Sequence, residues 1–305
     1  MGKYRKNGQF EGHRPLCIVM GSTHSDEGTP EGRVDWLAEQ LEKHSDLYYN
    51  KAEPEISDAD FDVLRDELQL LSPNHPQLSR VGSDPPPGSE KAYHLFRKMS
   101  LDKANSDEEV SHFVSETTAN GRRFVCQPKL DGSALSLEYR RGRLIRAATR
   151  GNGRRGEDVT ANARRMMNVP EQLDWDGDCH VRGEVVMPLQ VFREKYSEVA
   201  PNPRNLAAGA LRQKYADAGK GSPRDLQFLA YGVEFPRDKD RHPDSPEPPD
   251  FKLDSEIISW IGEKGIQVAG NHVVSGDDDT TTTESILAVP REWLETRDST
   301  DCEID

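Results

Sequence analysis

Lys129 is the residue on which chemistry in this sequence can be centred. It stands in Cys126-Gln127-Pro128-Lys129-Leu130-Asp131-Gly132, between two segments with strand character, 123–126 and 133–139. An ammonium at its ordinary pKa is a poor nucleophile near neutrality, and burial or neighbouring cations are what free the amine to attack an electrophile. Asp131, two residues on, shares a strand face with Lys129 and can position or deprotonate it. Gly132 lets the backbone approach a ligand closely. Alone, such a Lys-x-Asp-Gly run describes a charged hairpin end as well as a nucleophile.

Three further tracts weigh on that choice. Residues 148–160 form a glycine-rich loop, with Arg150, Gly151, Asn152 and Gly153, that opens a helix; its amides can converge on an anion and its arginines can add forked contacts. In Cys179-His180-Val181-Arg182-Gly183-Glu184-Val185-Val186-Met187 a carboxylate sits inside an apolar strand, which is costly unless it is paired. Glu184 is therefore a site candidate, or else the structural partner of Arg182. Asn202-Pro203-Arg204-Asn205 starts a small-residue helix that ends near Leu211-Arg212-Gln213, and residues 229–233 read as another strand around Tyr231.

The elements that must position these residues follow from period and breakers. Residues 1–30 have no sustained period and read as a disordered extension. A helix follows with Val34, Leu37, Leu41 and Tyr48 among its apolar positions, and Pro54 breaks it. Ser57 can cap the next helix, with Asp58, Asp60 and Asp62 in its first turns and Phe61, Leu64, Leu68 and Leu71 as its stripe. Residues 72–92 are a Pro-, Gly- and Ser-rich linker. A helix capped near Ser106 precedes three strands over 122–149, the last two joined at Arg141-Gly142. Residues 236–250 form an acidic, proline-rich loop, Asp254 or Ser255 can cap a further helix, and a short strand lies near His272-Val273-Val274.

Composition bounds the class. The chain has 305 residues, 31% charged and 7% aromatic, enough for two domains. No apolar run reaches the roughly 18 residues that span a bilayer, which points to a cytoplasmic protein. Cys17, Cys126, Cys179 and Cys302 are too scattered for a zinc site or a disulfide framework. Of the net charge of −14, residues 234–305 carry −12, with 19 acidic and 7 basic residues. Within the nearly neutral remainder, Arg140, Arg141, Arg143, Arg146, Arg150, Arg154, Arg155, Arg164 and Arg165 cluster. They form either a local phosphate-facing surface or a solvated face.

Together, Lys129-Leu130-Asp131-Gly132, Thr149-Arg150-Gly151-Asn152-Gly153, Gly156-Glu157-Asp158-Val159-Thr160, Arg182-Gly183-Glu184-Val185 and Asn202-Pro203-Arg204-Asn205 with Arg212 resemble the adenylation region of NAD-dependent DNA ligases. The resemblance covers about residues 31–305. It implies an α+β protein: a small helical NAD-recognition domain (31–75), a linker (76–92), and a nucleotidyltransferase domain (93–305) of the ATP-grasp-like, DNA ligase type, built on antiparallel sheets with flanking helices. It implies that Lys129 attacks the adenylyl phosphorus of NAD and carries AMP to a nicked DNA duplex, with Mg2+ assisting and the protein working as a monomer. Lys129, Asp131, Glu184, Arg204 and Arg212 would then be catalytic. Gln127 would read adenine, Tyr231 stack on it, and Arg150 and Glu184 hold the ribose; Leu130, Gly132, Ser100 and Leu101 would line the NAD site. Tyr48, Tyr49, Asp58, Phe61 and Asp62 would face the nicotinamide half, and Arg204 and Arg212 the phosphates or the nick.

Gln127, Asn152 and Phe61 depart from the family's usual Glu, Asp and Tyr. The sequence also stops at Asp305, where the family continues into a strand bearing an essential lysine, so a fragment or a truncated product is expected. The alternatives to a ligase are a non-catalytic NAD- or DNA-binding relic and a nucleotidyltransferase acting on RNA ends.

Overall fold

The computed structural model describes residues 30–51, 54–80, 82–86, 88–99, 101, 103–117, 123–214, 221–296 and 300–304. The extension expected over 1–30 lies outside them except for Pro30, and so does Ser100.

Two helices begin the described chain, α1 (Pro30–Asp46) and α2 (Asp58–Leu71), joined through a wide π-type turn, Leu47–Lys51. Leu37, Leu41 and Leu68 are their buried seam, with Val34, Phe61 and Leu64 packed against it. Ser57 caps α2 as expected, its Oγ accepting from the Asp60 amide at 3.1 Å. Leu71, expected in the stripe, is 44% exposed, at the point where α2 ends.

The larger unit is a four-stranded antiparallel sheet in the order β4-β3-β6-β7. Its strands are β3 (Ser133–Arg140), β4 (Arg143–Thr149), β6 (Cys179–Val186) and β7 (Gln227–Glu234). Two short antiparallel pairs flank it. One joins β1 (Lys91–Tyr93) to β5 (Arg155–Glu157), the other β2 (Arg123–Cys126) to β8 (His272–Ser275). Helices α3 (Asp107–Thr117), α4 (Thr160–Ala163), α5 (Leu189–Lys195), α6 (Pro203–Arg212), α7 (Asp254–Glu263) and α8 (Asp279–Thr296) surround these sheets. The architecture is thus mixed helix and antiparallel sheet. No described helix is long and apolar enough to cross a membrane.

Period two explains the sheet's two faces. Leu135, Leu137, Tyr139, Val181, Val185 and Phe228 point into the main core, where Leu206, Ala207, Ala210 and Leu211 of α6 meet them. Ser136 and Glu138 stand on the other face of β3, opposite Arg182 and His180 of β6. The hairpin at Arg141-Gly142 forms as expected, with φ of 48° and 70°; positive φ at both central residues is what a two-residue hairpin turn requires.

Several expectations fail for physical reasons. The segment 127–132 is not a strand: only Leu130 pairs, in an isolated bridge with Ile304, so the period-two argument placing Asp131 beside Lys129 does not hold. The glycine-rich loop does not open a helix directly but runs into β5 first. Two of its amides bond within the loop, Gly153 to the Arg150 carbonyl at 3.1 Å and Asn152 to that of Arg155 at 3.2 Å. Helix α7 begins after Leu253, where Glu256 reaches back to the Leu253 amide at 3.2 Å, so neither Asp254 nor Ser255 is the cap. Helix α8 was not legible, because four successive threonines and an internal proline disguise it.

Candidate active site

The Lys129 loop is held where it enters β3. Gly132 sits so close to β6 that a Cβ there would lie 2.3 Å from the Val185 carbonyl oxygen, so only glycine fits. On the other strand of the bridge, the Asp131 amide donates to the Glu303 carbonyl at 2.9 Å. Lys129 itself is exposed. The burial that activates amine nucleophiles is therefore not supplied by the ligand-free chain, contrary to one of the two routes expected for it.

Asp131 is engaged by α6. Its carboxylate takes the guanidinium of Arg204 in a short ion pair, and that guanidinium also stacks on the Tyr48 ring at 4.3 Å. Arg204 lies in the first turn of α6, capped by Asn202, whose Oδ1 accepts from the Asn205 amide at 2.7 Å. At the far end of α6, Arg212 Nε meets Glu157 Oε1 at 3.2 Å, and its Nη1 donates to the Tyr49 carbonyl. Tyr48 and Tyr49 contact edge to face, 4.9 Å between centroids.

Glu184 is the electrostatic centre. Burial pushes its carboxyl up to about 8, against the opposing pull of Arg204, Arg150 and Lys129, with Asp131 adding to the rise. Four of the expected site residues thus act on this one acid. Arg182 is not its structural partner: Arg182 lies 3.7 Å from Glu234, which Lys98 holds at 2.5 Å. Tyr231 is placed by a bulge. Arg182 opposes Gly232 and Gly183 opposes Ala230, which leaves Tyr231 as the extra residue that such a bulge re-aims. Burial pushes its phenol up to about 12, with Glu184 contributing. Gln127 Nε2 is buried and has no hydrogen-bond partner among the described residues.

The loop bearing Arg150 is clasped from the linker side. His94 Nε2 donates to the Thr149 and Arg150 carbonyls at 3.0 and 3.2 Å. Asn152 Oδ1 accepts from the amides of Arg154 and Arg155, both at 3.0 Å, while its Nδ2 donates to Asp84 Oδ1 at 2.5 Å. Asp84 also holds Arg155 at 3.0 Å. The segment read as a free linker is therefore bound to the loop. An aspartate at 152 would set two carboxylates face to face, so the family's usual residue is unsuited to a chain with Asp84. Asn152→Asp is expected to destabilise the protein by about 1–2 kcal/mol. Thermal unfolding at low salt checks this, and Asp84→Asn should restore the loss.

The remaining expected residues lie as follows in the ligand-free chain. Asp62 is engaged by Lys103 at 2.5 Å. Phe61 packs into the α1–α2 seam. Leu101 is 93% exposed. Asp58 begins α2 and its side chain lies outside the description. Four members of the arginine cluster have acidic partners: Arg140 and Arg146 bind Glu138, Arg155 binds Asp84, and Arg164 lies 3.5 Å from Glu171. Glu157, His94 and Asp84 were missed as positioning residues, since a three-residue strand and a polar linker carry no burial signal in sequence.

Residues 89–305 match the family model described as the NAD-dependent DNA ligase adenylation domain. The chain belongs to the NAD-dependent DNA ligase family. Residues 27–86 match a second model, the DNA ligase-like, N-terminal NAD+-binding domain. Among curated relatives, the DNA ligase of Marinobacter nauticus is 42% identical over 223 residues, covering 66% of this chain and 33% of the relative. That of Bradyrhizobium sp. is 40% identical over 226 residues, covering 66% and 31%. The DNA ligase of Rubrobacter xylanophilus is 35% identical over 296 residues, covering 90% and 40%. The chain therefore spans 31–40% of the length of these ligases.

Proposed function

We propose that this region carries out the first step of ligation, moving AMP from NAD to Lys129. The observation that carries the reading is the convergence of Lys129, Arg150, Arg204 and Asp131 on one buried acid, Glu184. The Lys129 amine attacks the adenylyl phosphorus; the bond to the bridging oxygen breaks, nicotinamide mononucleotide leaves, and the amine gives up a proton as the phosphoramidate forms. Glu184, kept largely as the neutral acid at pH 7, can both donate to and accept from ribose hydroxyls, and Arg150 stands beside it. The orphaned Nε2 of Gln127 suits an adenine ring nitrogen while its Oε1 accepts from the adenine amino group, so glutamine offers a pairing that glutamate cannot. Tyr231 supplies the stacking face, and Leu130 and Gly132 line the floor.

The module boundaries follow from this: NAD recognition by 31–75, connection by 76–92, and a DNA-ligase-type nucleotidyltransferase fold over 93–305. Tyr48, Tyr49, Asp58, Phe61, Asp62, Ser100 and Leu101 are assigned to the nicotinamide side of NAD. The whole protein would pass AMP to a 5′-phosphate at a nick in duplex DNA and seal the strand, as a cytoplasmic monomer. Magnesium enters no step here. Among the described residues no group of three His, Cys, Asp or Glu side chains could hold it; Mg2+ commonly binds through substrate phosphates and one or two carboxylates. The match of residues 89–305 to the adenylation-domain model supports this reading over a non-catalytic relic.

Mass spectrometry after incubation with NAD and magnesium is expected to find one adenylyl adduct, on Lys129, and none with ATP in place of NAD. An adduct on another lysine, or an equal yield from ATP, would overturn the assignment.

A further inference from the structure

Two contacts of α6 share one pattern. At its start, Arg204 is held from behind by Asp131 and lays its guanidinium on Tyr48 at 4.3 Å. At its end, Arg212 is held from behind by Glu157 at 3.2 Å and donates to the Tyr49 carbonyl. The arginines are eight residues apart, about 12 Å along the helix, yet they reach consecutive residues of the π-type turn. Both carboxylates belong to nucleotide-facing segments: Asp131 to the nucleophile's loop, and Glu157 to β5, whose amide donates to Thr149 Oγ1 at 3.0 Å just before Arg150.

The second relay is sheltered from water. The side chains of Arg212 and Glu157 are 18% and 11% exposed, so their charges are weakly screened and an arginine without its acid would be a poorly compensated cation. A planar guanidinium suits this work, since it can bind a carboxylate on one edge, a carbonyl on another and a ring on its face. The turn they hold joins α1 to α2 and carries Tyr48 and Tyr49.

We propose that Arg204 and Arg212 are a two-point docking site for the Tyr48–Tyr49 turn, aimed by Asp131 and Glu157, and that binding of NAD depends on this docking. Asp131 and Glu157 are positioning residues in this scheme, and Glu157 gains a role that its place in a three-residue strand does not suggest. The second half of the proposal rests on the NAD reaction proposed above; the first half does not.

Hydrogen exchange on the chain without nucleotide tests the docking. Arg204→Gln and Arg212→Gln are each expected to speed amide exchange over residues 47–51 by about tenfold or more, with β3 and β6 unchanged. Glu157→Gln should act in the same direction but more weakly, because it removes the charge facing Arg212 while the Arg212 contact to the Tyr49 carbonyl stays in place. Tyr48→Leu, which leaves the α1–α2 seam intact, should loosen the turn as well, and adding Arg204→Gln should then bring little more. Calorimetry should show NAD binding weakened by about tenfold in the arginine variants. Unchanged exchange over 47–51, or additive effects of Tyr48→Leu and Arg204→Gln, would overturn the docking; undiminished NAD binding with a loosened turn would overturn its link to NAD. Absence of the Lys129 adduct in the parent would instead sink the reaction, leaving the exchange result standing.

Discussion

Lys129→Arg is expected to abolish the adenylyl adduct, a fall of at least about a thousandfold. Arginine preserves a cation near Glu184, so the surrounding charges keep much of their balance. It cannot shed a proton near neutrality and so offers no nucleophilic nitrogen. NAD binding measured by calorimetry should change by only a few-fold, which separates loss of the nucleophile from loss of the site. Because Lys129 is exposed in the ligand-free chain, its replacement should also leave thermal stability nearly unchanged. An adduct forming at the parent rate in the arginine variant would mean that another group attacks the phosphorus.

Glu184→Gln is expected to stabilise the ligand-free protein, and to do so more as pH rises. An unfolded glutamate ionises near its ordinary 4.5, whereas in the folded chain burial holds this carboxyl up to about 8. Between those values the unfolded state binds fewer protons than the folded one, so stability falls with rising pH, at about 1.4 kcal/mol per pH unit for full separation. The loss is absent below the unfolded pKa and complete above the folded one. Glutamine has no such titration. Its advantage should be small at pH 5 and reach on the order of 3 kcal/mol by pH 8, discounted for the nearby arginines. Melting curves of both proteins at the two pH values check this; a gain of equal size at both, or a loss that deepens with pH, would count against the buried acid. A site that stores this much instability is a common signature of function.

The sequence by itself determined much of the strand and helix plan around the chemistry. Tracts 133–140 and 179–186 alternate, Asn202 and Ser57 announce their helices, and Arg141-Gly142 announces its hairpin, because these signals depend on neighbours a few residues away. The family was legible for a similar reason: the tracts around Lys129, Arg150, Glu184 and Arg204 are short, ordered and specific. What those side chains touch was decided only by the tertiary structure. Asp131 took Arg204 across 73 residues, Arg182 lay beside Glu234, and Asp84 reached Asn152 and Arg155 across about 70 residues of chain. Such pairings depend on which charges burial brings together, and no local period records that. Helix α8 marks the same limit from the other side. Its threonines and Pro290 argue against a helix locally, while burial of Thr282, Thr283 and Val289, a gain that exists only once the chain has folded, outweighs that preference.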